Sequence, residues 1–460
     1  MNTFSITNLP VSTRFHFIGI GGISMSGLAK ILVDKGFKVQ GSDMRESELT
    51  YQLQKSGIDV CIGHSPENIK DADIVVYTAA VKESNCEYSQ AKARGLILIE
   101  RAVLLGAIMR EFKNAVAIAG THGKTTTTSM ITHAIMNSGC NPTVSVGGEL
   151  DLIGGNVHVG SDNLFITEAC EYHESFLQFF PTVSVITNIE EDHLDYFTGG
   201  LKQIMKAFSS FANLTPDDGC VVACGEDENV KKVTQGLKCK VYTYGEDECF
   251  DFYAENIVIK NSLYSFDVMH KSQKVTHISL NVPGRHNMLN ALATVAVCYH
   301  MGFDIEKAAG GIEAFTGTHR RFEHKGKCNG AFVIDDYAHH PTEIQVTLKA
   351  AKDLEHRRIW CVFQPHTYSR TRTLMNEFAK SFSCADKVII ATIYPAREAF
   401  DPNVRETDLV EKIKQNGVDA CYIDNFDDIA STLKENLEEG DIVFTMGAGN
   451  VVDIAKLIVD

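Results

Sequence analysis

The sequence predicts an α/β protein of three consecutive units, each a parallel sheet with helices on both faces. Three observations predict it. Short apolar runs alternate with stretches whose apolar residues recur at helical spacing. The runs end in glycines or polar clusters, where ligands sit in open α/β sheets. The 460 residues also exceed what one core serves, at roughly 150 residues per domain.

The first unit covers residues 1–110. RFHFIGIGG, residues 14–22, reads as a strand ending in glycines. Residues 23–35 read as a helix with Met25, Leu28, Ala29, Ile31 and Leu32 on its apolar side. A second strand, 37–39, ends at Gly41-Ser42-Asp43. This β-α-β opening meets G-x-G-x-x-G at Gly19 and Gly21, with Ser24 in the third position and Gly22 beside them. Asp43 stands where an acid meets a ribose hydroxyl. On these residues alone a nicotinamide nucleotide is the obvious ligand, and a tight turn without ligand is the alternative. Strands at 59–62, 74–77 and 96–99 alternate with helices at 47–55, 86–93 and 101–110. The polar break 111–114 closes the unit.

The second unit, 111–314, opens on AVAIAGTHGKTTTT, residues 115–128. A buried strand breaks at Gly120, passes Thr121, His122 and Gly123, and reaches Lys124, Thr125 and Thr126 before a helix. Strand, Gly-rich turn, Lys-Thr and helix make a phosphate-binding loop. Backbone N–H groups and the helix N-terminus face the anion. Lys124 adds a mobile cation, and the Thr125 hydroxyl is a candidate Mg²⁺ ligand. The longer G-x-x-x-x-G-K-[ST] pattern needs glycine at 118, where Ile118 stands, so the loop is the shorter G-x-x-G-K-T-T. Strands at 164–167 and 183–186 end in ITEACEYHESF and TNIEEDHLDYF. They bring Glu168, Glu171, Glu190, Glu191, Asp192, His193 and Asp195 toward the loop. Acids beside a nucleotide call for a cation, and Mg²⁺ is the economical one. Residues 219–280 read as β-rich scaffold. His286 and Asn290 then share one face of a helix after Pro283-Gly284, with Asn287 near its start. Capping and ligand binding explain this His-Asn pair equally well.

The third unit, 315–460, repeats the alternation. DDYAHHPTE (335–343), QPHTYSRTR (364–372), TIYPARE and MGAGN follow its strands. Arg320 and Arg321, near its start at the joint with the second unit, suit charge developing in phosphoryl transfer. His339, His340, His366, Arg370 and Arg372 suit an anion such as a carboxylate.

Composition narrows the class. A net charge of −16 argues against nucleic acid as the main partner. No apolar run approaches the ~18 residues of a membrane span, and the N-terminus does not read as a signal peptide. The 13 cysteines are scattered without a C-x-x-C pair, as suits a reducing cytoplasm.

Taken together, GTHGKTTT, TNIEEDHLD, PGRHNMLNALA, HRRFE, DDYAHHPTE and QPHTYSRTR, in this order, resemble the Mur ligase family of peptidoglycan synthesis. GIGGISMSG (19–27) and GSD (41–43) extend the resemblance over nearly the whole chain. It implies an ATP-dependent amide ligase with Rossmann-like N- and C-terminal domains and a central P-loop ATPase-type domain. The three would bind the UDP-substrate, ATP and the amino acid in turn. HHPTE and QPHTYSRTR favour members that join UDP-N-acetylmuramate to L-alanine through an acyl phosphate. A member that recycles preformed peptides is the alternative.

The resemblance also implies roles. The first loop (Gly19, Gly21, Gly22, Ser24, Asp43) would grip a UDP-sugar diphosphate rather than NAD. Lys124 and Arg321 would contact ATP phosphates, and His286 and Asn287 the adenine, with Asp336 near the nucleotide. Thr125, Glu168 and His193 would hold metal. His339, His366 and Arg370 would orient L-alanine and the acyl phosphate. Three positions depart from the family pattern: Ser24 where glycine is common, ACEYHESF in place of a more acidic run, and Thr367 in place of arginine. Phe208 stands where related ligases carry a carbamylated lysine, so none is expected here.

Overall fold

The structure is a computed structural model describing residues 4–194, 196–396 and 398–459. Asp195, one of the acids expected near the loop, and Arg397 of TIYPARE lie outside the described residues. By packing, the chain forms two units. One comprises residues 1–255, 268–276 and 289–314, the other 256–267, 277–288 and 315–460.

The first unit contains two sheets. Five parallel strands, β1 (Arg14–Ile18), β2 (Lys38–Asp43), β3 (Asp59–Ile62), β4 (Ile74–Tyr77) and β5 (Ile97–Glu100), lie in the order β3-β2-β1-β4-β5. Their helices are α1 (Ile23–Asp34), α2 (Glu48–Lys55), α3 (Cys86–Ala93) and α4 (Arg101–Met109). The order reverses at β1, so the loop after β1 opens at the switch point, where a crevice forms. The second sheet is built around β6 (Asn114–Ala119), which α5 (Lys124–Asn137) follows. It continues through β7 (Thr143–Leu150), β8 (Gly155–His158), β9 (Leu164–Glu168), β10 (Val183–Ile186), α6 (Leu201–Ala212), β11 (Cys220–Cys224), α7 (Glu228–Thr234) and β12 (Lys240–Gly245). β9 and β10 flank β6 in parallel, pairing Glu168 with Ile118 and Ile186 with Ala119. The three loops expected to converge therefore leave adjacent strand ends.

Both sheets share one core. α4 is apolar almost all round and is buried from Ala102 to Met109 apart from Val103, as such a helix must be. The cluster runs from Phe15 and Leu28 through Leu104 and Met109 to Phe165, Phe176, Phe208 and Phe211. Phe112, in the polar break at 111–114, packs against it. Between α3 and β1 lies a polar pocket of packing that sequence reading missed. The fully buried Glu87 carboxylate accepts from His16 Nε2 (3.1 Å), Ser42 Oγ (2.6 Å), Asn68 Nδ2 (2.7 Å) and Ser65 N (3.2 Å). Burial pushes its pKa up, but these donors, His16 first, hold it down at about 2.

β13 (Phe252–Lys260), β14 (Leu263–His270), β15 (Gln273–Ser279) and α8 (Arg285–Met301) are divided between the units, and α9 (Ile305–Glu313) belongs to the first. The second unit's sheet runs β16 (Glu323–Cys328), β17 (Ala331–Asp336), β21 (Ile442–Met446), β18 (Ile359–Phe363), β19 (Lys387–Ile390), β20 (Asp419–Tyr422). Only its first pair is antiparallel. Its helices are α10 (Pro341–Lys352), α11 (Tyr368–Thr373), α12 (Met375–Lys380), α13 (Glu406–Gln415), α14 (Phe426–Asn436) and α15 (Val452–Ile458). No helix among the described residues is long and apolar enough to cross a membrane.

Candidate functional site

In the first unit the site is a clamped turn. Gly120 has φ +147° and Gly123 φ +84°, values that suit residues without a side chain. The TNIE segment after β10 holds the turn. Thr121 N donates to Asn188 O (3.0 Å), His122 N to Asn188 Oδ1 (2.8 Å), and Thr187 Oγ1 to His122 O (2.6 Å). Glu190 N donates to Thr121 Oγ1 (2.9 Å). α5 starts at Lys124 without a side-chain cap and without an acid in its first turn, which leaves its positive end open to an anion. From the far side Asn290 of α8 accepts from Thr127 Oγ1 at 3.1 Å.

Lys124 is folded into this turn. Its Nζ donates to Gly120 O, to Thr121 O (3.0 Å) and to Glu171 Oε2 (3.0 Å). Burial works against its charge, but Glu171, together with Cys170 and Glu168, offsets this and raises the pKa. Glu171 is only 2% exposed. In the sequence it is one polar residue among several, and its role as the lysine's counter-ion comes from packing. His193, at φ +53°, approaches Glu171 at 3.8 Å and lies against the Tyr172 ring at 4.5 Å. Glu168 accepts from Gly147 N at 2.5 Å. Its charge also acts on Lys124, so Lys124, Glu168, Glu171 and His193 form one neighbourhood. Thr125 follows Lys124 in the first turn of α5. Phe208 is fully buried, edge-on to Phe176 at 5.3 Å, and offers no atom to a metal.

The loop after β1 is the unit's second candidate site. Gly19, with φ +82°, and Ile20 donate their N–H groups to Ser42 O, and Gly22 precedes α1. Asp43 Oδ2 accepts from Gly21 N at 2.9 Å, so this acid braces the turn. Ser24 lies in the first turn of α1.

In the second unit, β17, β21 and β18 are neighbours, and their polar loops leave the same edge of the sheet. Asp336 accepts from Ala338 N (2.7 Å) and Phe322 N (2.9 Å). Burial raises its pKa to about 6, with Arg321 pulling the other way. Arg321 lies 3.8 Å from Glu343 and over the Tyr337 ring. Arg320, at φ +63°, is tied to Asp335 (3.1 Å) and Gly447 O (2.7 Å). This is a structural anchorage that leaves Arg321 the better placed of the pair to meet a ligand. His339 lies 3.3 Å from Glu343, and its ring is 5.8 Å from that of His366, which stacks on Tyr394. His340 caps α10. Thr367, at φ +66°, accepts from Arg370 N, placing Arg370 in α11 beyond His366. A β-branched residue at positive φ is a genuine outlier, and such strain clusters at functional sites.

At the start of α8, Asn287 Nδ2 donates to Pro283 O (2.7 Å). Burial first, and Arg321 second, lower the His286 pKa to about 4. The imidazole is therefore neutral at pH 7. A histidine pKa depressed from 6.5 keeps its full stability contribution above pH 6.5 and loses it as pH falls toward 4. The expected loss is up to about 3 kcal/mol. Denaturant titrations at pH 7.5 and 4.5 should show His286→Gln losing less stability on acidification than the parent.

Comparison with known proteins decides the family. The "Mur ligase middle domain" model matches residues 118–298. The "Mur ligase family, catalytic domain" model matches 14–113, and "Mur ligase, glutamate ligase domain" matches 320–449. A UDP-N-acetylmuramate–L-alanine ligase of Caldanaerobacter subterraneus subsp. tengcongensis is 51% identical over 96% of either chain. The chain belongs to the Mur ligase family. Another Mur ligase of the same name, from Acetivibrio thermocellus, is 50% identical over 99% of this chain and 98% of its own. The crystal structure of the UDP-N-acetylmuramate-alanine ligase MurC of Thermotoga maritima superposes with a TM-score of 0.82 at 30% identity, covering 96% of this chain and 97% of that one. A murein peptide ligase of Psychrobacter arcticus shares the Mur ligase fold, with a TM-score of 0.74 at 24% identity over 97% and 98% of the two chains.

Proposed function

We propose that this Mur ligase joins the lactyl carboxylate of UDP-N-acetylmuramate to the amine of L-alanine, converting ATP to ADP and phosphate, in the cytoplasm. The observation that carries the reading is end-to-end likeness, at about half identity, to ligases named for that reaction. The clamped turn around Lys124 supports the use of ATP. Role assignment follows the division 1–110 for the UDP-substrate, 111–314 for ATP and 315–460 for the amino acid.

A carboxylate is a poor electrophile until its oxygen becomes a leaving group. ATP supplies the phosphoryl group, an acyl phosphate forms on the lactyl carboxylate, and the L-alanine amine displaces phosphate. Lys124 exchanges Glu171 for β- and γ-phosphate oxygens, and the N–H groups of 120–126 receive the rest. Arg321 takes up charge that develops in transfer. His286, neutral, and Asn287 receive the adenine, with Asp336 fixing the chain beside Arg321. His339, His366 and Arg370 orient the amino acid and the acyl phosphate. Thr125, Glu168 and His193 would hold Mg²⁺; the charge of Glu168 acting on Lys124 and the approach of His193 to Glu171 support this. The ion would neutralise phosphate charge there.

In a coupled assay, phosphate release from ATP should require both UDP-N-acetylmuramate and L-alanine. If a preformed tripeptide sustains turnover and free L-alanine does not, a peptide-recycling activity replaces this reading.

A further inference from the structure

The glycine-rich loop after β1 has a neighbour from far along the chain. Arg101 opens α4, and its Nη1 donates to Ser24 Oγ at 2.9 Å. Among the described residues this is its one side-chain hydrogen bond, and no carboxylate lies within ion-pair distance. Arg14, Arg94 and Arg110 of the same unit also face no carboxylate among the described residues, but they donate to Gln40 Oε1 or to backbone carbonyls, whereas Arg101 donates to the helix that follows the glycine-rich loop. The placement is also unfavourable by itself. A cation in the first turn of a helix opposes the dipole, and α4 has no acid there and no side-chain cap. α1, whose first turn carries Ser24, likewise lacks both. The nearby acid of the loop, Asp43, is turned to Gly21 N (2.9 Å) and Arg45 N (3.4 Å). A half-buried guanidinium without a counter-ion is thus held over an anion-binding turn. Ser24 sits at the third position of the G-x-G-x-x-G pattern, where glycine would offer no oxygen to hold it.

We propose that Arg101 binds the diphosphate of the UDP-sugar, with Ser24 as the residue that aims it. This rests on reading the loop as the UDP-substrate site. The planar fork of arginine matches phosphate oxygens in pairs. Its tie to the turn after β1 points to the diphosphate rather than the lactyl carboxylate, whose destination is the phosphate donor at Lys124.

Calorimetric titration of the full-length protein with UDP, UDP-N-acetylmuramate and uridine tests this. Arg101→Ala should weaken UDP and UDP-N-acetylmuramate alike, by roughly 30-fold or more. Uridine binding and the KM for ATP should be unchanged, and millimolar guanidinium should restore part of the lost affinity. Arg101→Gln, which keeps a donor for Ser24 but no charge, should show the same loss if the alanine variant melts early. Ser24→Ala should weaken UDP several-fold. A loss confined to UDP-N-acetylmuramate, or no loss in either variant, overturns the proposal while leaving the loop's assignment standing. A parent protein that binds neither UDP nor UDP-N-acetylmuramate overturns both.

Discussion

Gly120→Ala should leave a protein that no longer binds ATP and unfolds at markedly lower denaturant. Two costs combine. At φ +147° an L-residue is strained, typically by about 1–3 kcal/mol. The added Cβ would also stand 1.9 Å from Thr187 Oγ1. Thr187 cannot simply turn away, because that hydroxyl donates to His122 O and helps to hold the turn. Overpacking of this kind costs about 1–3 kcal/mol more. Removing the clashing atom in Gly120→Ala/Thr187→Ala should recover part of the stability but not the ATP affinity, since the strain at φ and the loss of the clamp remain. Equilibrium urea unfolding and nucleotide titration measure both. A single variant within about 0.5 kcal/mol of its parent, the usual range for a surface change, would show that the turn does not have the conformation described.

Lys124→Ala should lose turnover by about 10²–10³-fold or more, the scale of removing one preorganised charge from a transition state. It should also lose stability, because Glu171, 2% exposed, is left with its charge uncompensated. Breaking a buried pair from one side costs about 3–5 kcal/mol. The two effects separate in Lys124→Ala/Glu171→Gln, which should regain stability while remaining inactive. A steady-state assay beside a thermal melt decides the matter, and full turnover in the single variant would remove Lys124 from the mechanism.

Both substitutions fall on residues that local pattern identifies. An apolar run, a glycine turn and Lys-Thr before a helix are set by neighbours in sequence, so Gly120 to Thr126 were legible without coordinates. The alternation of strands and helices was legible too, because each element's period is a local property. Even the gathering of 169–175 and 187–193 about the loop follows from the rule that ligands sit at strand ends. The order β9-β6-β10 gives that rule its geometry here.

What was not legible depends on residues distant in sequence. Glu171 is one of several acids that the sequence brings toward the loop, and only packing singles it out and buries it against Lys124. Asn290 meets Thr127 across 163 positions, Glu87 meets His16 across 71, and Arg101 meets Ser24 across 77. No periodicity encodes such pairs, since they arise only when sheet order and helix packing bring separate elements together. The joint at 111–114 shows the same division. Its polarity reads as a break in the chain, yet one core from Phe15 to Phe211 spans both sides of it with Phe112 packed against that core, because the apolar surface of α4 must be buried from all sides. Local pattern was thus sufficient for most of the strands and for the loop that would meet phosphate, whereas β7 and β8 were not read from it. Packing chose the partners of the charged side chains, because a buried charge takes whichever counter-ion or dipole the fold brings within reach.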